Sequence, residues 1–327
     1  MELKPMLKKN DKIFLAGHRG LVGSAIGRRL ADSGYENIIT RDRKDLDLLD
    51  QNKVRDFFAT EKPDAVFIAA AKVGGILANN TFRSDFLYEN LVIQNNLIWS
   101  SHQNDVETLV FLGSSCIYPK LCPQPMREEF LLGGPLEFTN RPYALAKIAG
   151  LELINTLVLQ YGRRYFSAMP TNLYGPGDNF HAENSHVLPA LIRKFHEAKQ
   201  EGRSETIIWG TGKPKREFLF SEDCADAVVY LAENLSEDFY QEQMKTDEKY
   251  FHINVGSGQE LSIRELAELI SDVVGYKGDI VSDPSKPDGT PRKLLDSSKL
   301  FNLGWKPNTE LRAGIAAAYQ DFMSNGL

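Results

Sequence analysis

Cysteine is scarce. Only 3 occur in 327 residues, at Cys116, Cys122 and Cys224. The set is odd and has no metal-ligand spacing, which argues against a disulfide framework and leaves no metal to expect. Long apolar runs are missing too. The most apolar stretch, AVFIAAAKVGGILA from Ala65 to Ala78, contains Lys72 and is too short to span a bilayer, so no membrane partner is expected. Positive charge is not in excess: 38 Lys and Arg face 44 Asp and Glu, a net of -6. That balance offers no footprint for nucleic acid, and any phosphate must be met by local cations. The opening MELKPMLKKNDK lacks the apolar centre of a secretory leader, and with so few cysteines it predicts a cytoplasmic protein. Internal repeats and low-complexity segments are not seen.

What is present is strand–helix alternation in a chain long enough for a full core. Lys12 to Ala16 reads as a buried strand, followed by GHRGLVG and an amphipathic helix from Leu21 to Ser33. Gly17, Gly20 and Gly23 suit a tight turn, close approach of backbone to a pyrophosphate, and packing of helix on strand. The loop His18, Arg19, Leu21 and Val22 shares that position. A second strand, Asn37 to Thr40, runs into Arg41-Asp42-Arg43. An NAD site would place an acidic residue there. Arginine forks at 19, 41 and 43 suit an extra phosphate, so the expected cofactor is NADP(H). Further strands are expected at Ala65 to Ala70, Thr108 to Leu112 and Arg164 to Pro170, with a long helix from Ser84 to Gln103. The fold class that follows is α/β, a doubly wound parallel sheet of Rossmann type.

Beyond Pro170, a helix is expected from NSHVLPALIRKF to about Lys199, then the strand TIIWG. Arg216 to Leu219 and Phe251 to Val255 read as returns to the sheet, bracketing a helix from Ser221 to about Leu235. Leu235 to Lys249 is acidic and reads as a surface excursion. SIRE at Ser262 is a capping box, and Leu311 to Met323 a closing amphipathic helix. A smaller, discontinuous substrate-binding lobe is therefore expected. Residues 1–178 and 217–256 would form the NADP-binding domain, and 179–216 and 257–327 the substrate domain.

The chemistry centres on YALAK, Tyr143 to Lys147. Four residues apart on a helix, the two side chains share a face, and the ammonium of Lys147 is expected to favour the phenolate of Tyr143. A carbonyl reductase needs such an acid. The fourth strand ends in GSSCIYP, at the sheet edge where ligands bind, so Ser114 or Ser115 can reach a substrate carbonyl. Glycine loop, strand-end serine and YxxxK together resemble the extended short-chain dehydrogenase/reductase family, in which serine, tyrosine and lysine do this chemistry.

Longer strings, among them AGHRGLVGSAI, AAAKVGGI, LGSSCIYPK, MPTNLYGP, NSHVLPAL and SKPDGTPRKLLD, are similar to the branch of that family that acts on GDP-4-keto-6-deoxy-D-mannose. The resemblance implies NADPH-dependent inversion at carbons 3 and 5 and reduction at carbon 4. It implies Cys116 as base, His186 as acid and Tyr143 as proton donor to the carbon 4 oxygen. It sets Leu112, Gly113, Ser114, Ser115, Lys147, Pro170, Thr171, Asn172, Leu173 and His186 beside the cofactor. Lys194, Trp209, Arg216 and Asp288 would line the GDP-sugar site, with Lys293 a further local cation on the covering segments. A homodimer through helices 84–103 and 142–161 is also implied. The rivals are a reductase or epimerase of another nucleotide 4-keto sugar, and a silent NADP-binding regulator. A 4,6-dehydratase would want an acidic pair after the strand-end serine, and GSSCIYP has none.

Overall fold

Four consecutive apolar residues, Ile13 to Ala16, are buried on both faces of the first strand, as expected of a strand in a sheet covered by helices on both sides. The computed structural model describes residues 7–181, 185–286 and 288–325. Asn184 and Pro287, which fall in two of the strings above, and both ends of the expected domains lie outside the described residues. The chain runs β1 (Ile13–Ala16), α1 (Leu21–Asp32), β2 (Ile38–Ile39), α2 (Gln51–Glu61), β3 (Ala65–Ile68), α3 (Ile76–Thr81), α4 (Arg83–Gln103), β4 (Thr108–Leu112), α5 (Arg141–Tyr161), β5 (Arg164–Pro170) and β6 (Asn172–Tyr174). It continues through α6 (Val187–Gln200), β7 (Glu205–Trp209), β8 (Lys215–Phe220), α7 (Ser221–Asn234), α8 (Glu237–Met244), β9 (His252–Val255) and β10 (Glu260–Ser262). It closes with α9 (Ile263–Val274), β11 (Asp279–Asp283), β12 (Arg292–Lys293), α10 (Ser298–Asn302) and α11 (Leu311–Asn325).

The main sheet has the order β2-β1-β3-β4-β5-β9, and every pairing in it is parallel. The order reverses between β1 and β3, the place where a doubly wound sheet opens a crevice beyond its strand ends. Helices α4 and α5 cover one face and touch closely. A Cβ on Gly150 would come 2.8 Å from both the Gln94 amide carbon and the Phe111 ring. Helix α9 starts with the expected capping box, Ser262 accepting from the Glu265 backbone and Glu265 answering to Ser262 N at 2.7 Å.

A second core forms beside the sheet from α6 (Leu188, Ile192, Phe195), α9 (Leu266, Ile270) and α11 (Ile315, Phe322). Two small sheets border it, β10-β8-β12 with β6 on β8, and β11 with β7.

Two expectations are corrected here. Of the two returns to the main sheet, β9 joins it, but β8 does not; it pairs with β6, β10 and β12 instead. The reason lies in EFLF. Leu219 packs into the first core while Phe218 and Phe220 pack into the second. A strand apolar on both faces looks the same in sequence whichever sheet it enters. The acidic stretch after Leu235 is likewise no mere surface excursion. It contains α8, whose Phe239 and Tyr240 are buried in the main core, with Tyr240 stacked on Phe251 at 5.8 Å between ring centres. Two aromatic residues among acids anchor one face of a short helix whose other face carries the charge.

Candidate active site

The glycine loop closes the end of β1 onto β3. Gly17 has φ +90, and a Cβ there would lie 2.5 Å from Ala70 N. A Cβ on Gly23 would overlap the Gly17 carbonyl. Gly20 is the N-cap of α1 and offers no side chain to its first N–H groups, so the positive end of this helix faces the crevice. A turn kept bare of side chains beneath an open helix N-terminus fits the pyrophosphate of a dinucleotide. Leu21, Val22 and His18 flank it. The arginines beside it are each held by an acid. Arg19 donates to Asp42 at 2.6 Å, Arg41 to Glu61 at 2.5 Å, and Arg43 lies 3.7 Å from Asp47. Arg41 also lies over the Phe57 ring at 5.4 Å. Asp42 further meets His18 at 3.4 Å. Arg19 and Arg43 remain about three-quarters exposed, at 76% and 74%.

At the end of β4, Ser114 caps a short turn, Ser115–Ile117, by accepting from Cys116 N. Its hydroxyl lies 3.0 Å from the Cys116 sulfur and hydrogen-bonds Tyr143. Of the two serines left open by the sequence, Ser115 is buried and Ser114 meets the tyrosine. Tyr143 and Lys147 lie on one face of α5 as their spacing predicts, with the Lys147 ammonium 5.8 Å from the Tyr143 ring centre. Lys147 Nζ donates to Leu112 O at 2.7 Å, tying α5 to the end of β4. The electrostatics depart from the expectation drawn from spacing. Burial raises the Tyr143 phenol above its ordinary value, Cys116 adds to this, and only the Ser114 hydrogen bond opposes it. Burial likewise lowers Lys147 to about 7. Desolvation outweighs the attraction that spacing alone suggests.

Cys116 lines a cavity with Lys120, Glu137, Asn140, Thr290 and Lys293. Glu137 is spent on structure: its carboxylate accepts from Thr139 N, Thr139 Oγ1 and Asn140 N at the start of α5. Asn140 was missed by the sequence reading. It is the N-cap residue of α5, yet makes no side-chain cap bond, and its buried Oδ1 has no partner among the described residues. An Asn before Arg-Pro at a helix start reads as an ordinary cap, and nothing in sequence says that it will line a cavity without capping. His186 is the N-cap residue of α6. The residue is exposed, yet desolvation first and then the charge of Lys293 pull its imidazole below the ordinary histidine value.

The residues predicted for the GDP-sugar end lie on and beside the second core's elements, and the last cofactor residues at the ends of β4 and β5. Lys194 of α6 donates to Ile207 O of β7 at 2.8 Å, and burial lowers its ammonium. Trp209 ends β7 with 69% of its surface exposed and Lys286 5.8 Å over its ring. Asp288 accepts from Thr211 N and Oγ1, both at 2.8 Å. Arg216 of β8 donates to Thr290 O at 2.6 Å, and burial lowers its guanidinium despite Asp288 nearby. Thr171 and Asn172 side chains both donate to Glu217 O where the chain passes from β5 to β6, between Pro170 and Leu173. Gly113 N donates to Ala168 O, holding the β4 end against β5.

Over 315 residues the chain is 55% identical to the GDP-L-fucose synthase of Escherichia coli (strain K12), covering 96% of this chain and 97% of that one. Among solved structures, a GDP-6-OMe-4-keto-L-xylo-heptose reductase from C. jejuni superposes with a TM-score of 0.91 at 38% identity, covering 97% of this chain and 99% of that one. A GDP-mannoheptose C4 reductase from Campylobacter jejuni, solved with NADP bound, gives 0.87 at 38% identity over 97% and 99%. The sequence pattern of the NAD dependent epimerase/dehydratase family matches residues 13–256, and the chain belongs to that family.

Proposed function

We propose that this chain is a GDP-L-fucose synthase, which uses NADPH to invert carbons 3 and 5 and reduce carbon 4 of GDP-4-keto-6-deoxy-D-mannose. The observation that carries the reading is the 3.0 Å approach of Ser114 Oγ to Cys116 Sγ. A hydroxyl for the carbonyl and a thiol for the neighbouring carbons stand side by side. The 55% identity to a GDP-L-fucose synthase supports the choice of substrate.

The 4-ketone acidifies the protons on carbons 3 and 5. Cys116 as thiolate takes a proton from one face, and His186 as imidazolium returns one to the other; solvent then resets both groups. Ser114 and Tyr143 hold the carbon 4 oxygen throughout, sharing the negative charge that develops there. NADPH, when bound, supplies the hydride. Tyr143 then gives its hydroxyl proton to the carbon 4 oxygen. Lys147, anchored on Leu112 O, sits where it can steady the phenolate left behind. The glycine loop and α1 would hold the pyrophosphate, and Arg41 with Arg43 the ribose phosphate. Lys194, Trp209, Arg216 and Asp288 would hold the GDP end. Lys293 reaches the sugar chamber itself.

In this reading 1–178 with 217–256 serve the cofactor, and 179–216 with 257–327 the nucleotide-sugar. The protein acts as a homodimer, paired through 84–103 and 142–161, in the cytoplasm. Exposed Tyr88, Trp99, Leu145, Leu159 and Tyr161 on α4 and α5 support that pairing.

The test follows NADPH absorbance with GDP-4-keto-6-deoxy-D-mannose. Wild type oxidises NADPH and yields GDP-L-fucose; Tyr143→Phe binds NADPH but loses about 10²–10⁴-fold in rate. Cys116→Ser keeps oxidation and loses the inverted product. Silence of the wild type on this substrate, with turnover of a GDP-4-keto-heptose instead, would favour the second reading suggested by the heptose reductases.

A further inference from the structure

Tyr118 and Met126, which line the cavity together with Cys116 and Lys293, are both hydrogen-bonded to one fully buried amide, which is joined to the segments carrying both of the latter. Asn254 of β9 is 0% exposed. Its Oδ1 accepts from the Tyr118 hydroxyl at 2.6 Å, and Tyr118, also buried, stands two residues beyond Cys116. Its Nδ2 donates to Met126 O at 3.0 Å and to Asp296 O at 3.1 Å, three residues beyond Lys293. One side chain thus makes three hydrogen bonds, each to a different loop segment.

We propose that Asn254 is a positioning residue: acting through Tyr118 and Asp296, it sets Cys116 against Lys293 across the chamber. The proposal rests on the role given to Cys116 above. The physical argument is one of division of labour. The two loops are already paired without Asn254, since Met126 N donates to Leu294 O at 2.7 Å and Asp296 N to Met126 O at 2.8 Å. Leu295 N has its own anchor in the buried Glu217 carboxylate at 3.0 Å. Loss of Asn254 therefore leaves the loops folded and paired. What it removes is their registration to the turn that carries Cys116. A general base must meet its proton within hydrogen-bond reach, so loosening that turn weakens inversion before it weakens reduction. Tyr143 and Lys147 are held by α5 instead, with Lys147 anchored on Leu112 O, while Ser114 caps the Cys116 turn from its β4 side.

The experiment uses Tyr118→Phe, which removes one hydroxyl, Asn254→Ala, and the double variant. Solvent deuterium entering carbons 3 and 5 is measured beside NADPH oxidation, and the products are resolved by NMR. The expected result is that deuterium entry falls about 10-fold, as a small misplacement of a catalytic group can cause. Oxidation stays within about 3-fold of wild type, and 4-reduced sugar without inversion accumulates. The double variant loses little more than Asn254→Ala, since both changes cut the Tyr118–Asn254 bond and Tyr118→Phe gives up in addition only the longer 3.3 Å contact with His252 Nε2. Parallel loss of inversion and reduction, or an unchanged product ratio, would overturn the proposal. A second arm needs no substrate. Alkylation by iodoacetamide is followed by peptide mass spectrometry. Cys116 should react several-fold faster in both single variants, with Cys224 unchanged as the buried reference. Equal Cys116 rates in all proteins would sink the proposal even if wild type acted on a different sugar. A wild type silent on this substrate, with Cys116 alkylation accelerated, would instead overturn only the assigned substrate.

Discussion

Lys147 Nζ donates to the carbonyl of Leu112, the last residue of β4, across 2.7 Å in the buried seam between strand and helix. The bond places the ammonium without neutralising it, and burial holds its pKa at about 7 against an ordinary 10.5. Between those values the unfolded chain binds the proton and the folded chain does not. This contribution to stability is therefore complete above 10.5 and is lost as pH falls through about 7. Lys147→Met should remove that dependence. The melting temperature of wild type minus that of the variant should rise as pH goes from about 7 to about 9. A difference independent of pH would show that the lysine keeps its proton in the folded protein.

Arg41 and Arg43 frame the end of β2 with their acids at 2.5 and 3.7 Å. Replacing both by alanine should raise the KM for NADPH by roughly 10-fold or more, the worth of a charge-assisted hydrogen bond, and leave that for NADH little changed. Equal effects on both cofactors would mean that the pair supports the loop rather than the phosphate.

Gly23→Ala would press a methyl group onto the Gly17 carbonyl, a backbone atom with little room to yield. The variant should lose about 1–3 kcal/mol of stability. Its KM for NADPH should rise, because the same turn forms the cradle. Urea unfolding and cofactor titration read the two effects separately, and a wild-type midpoint would show that α1 can shift outward.

Tyr240→Ala tests whether α8 belongs to the core. A buried aromatic truncated to alanine costs about 3–5 kcal/mol, whereas a change on a surface excursion stays within about 0.5. Thermal or urea unfolding distinguishes the two.

Much of the fold could be read from the residues because local chemistry and global role coincide there. IFLA and LVFL are apolar without interruption and YFSAMP is broken only by Ser167, as suits strands covered on both faces. The Ser262 capping box announces α9 by its own hydrogen bonds. Ser114, Tyr143 and Lys147 meet because a strand end and one helix face suffice to place them. What escaped was set by partners distant in sequence. Nothing in EFLF says that β8 will pair with β6, and nothing in EDFYQEQM says that Tyr240 will find Phe251. Asn140 and Asn254 look like any other polar residues until the groups around them are known. The charge balance at Tyr143 escaped for the same reason, since spacing reports proximity and burial does not follow from it.

β8 has a consequence for how the molecule comes apart. Its alternate side chains are rooted in two different cores, so neither core can open without tearing residues from the other. The two lobes are bound to melt in one cooperative transition, and a fragment cut between them would expose Leu219 or its phenylalanine neighbours to water.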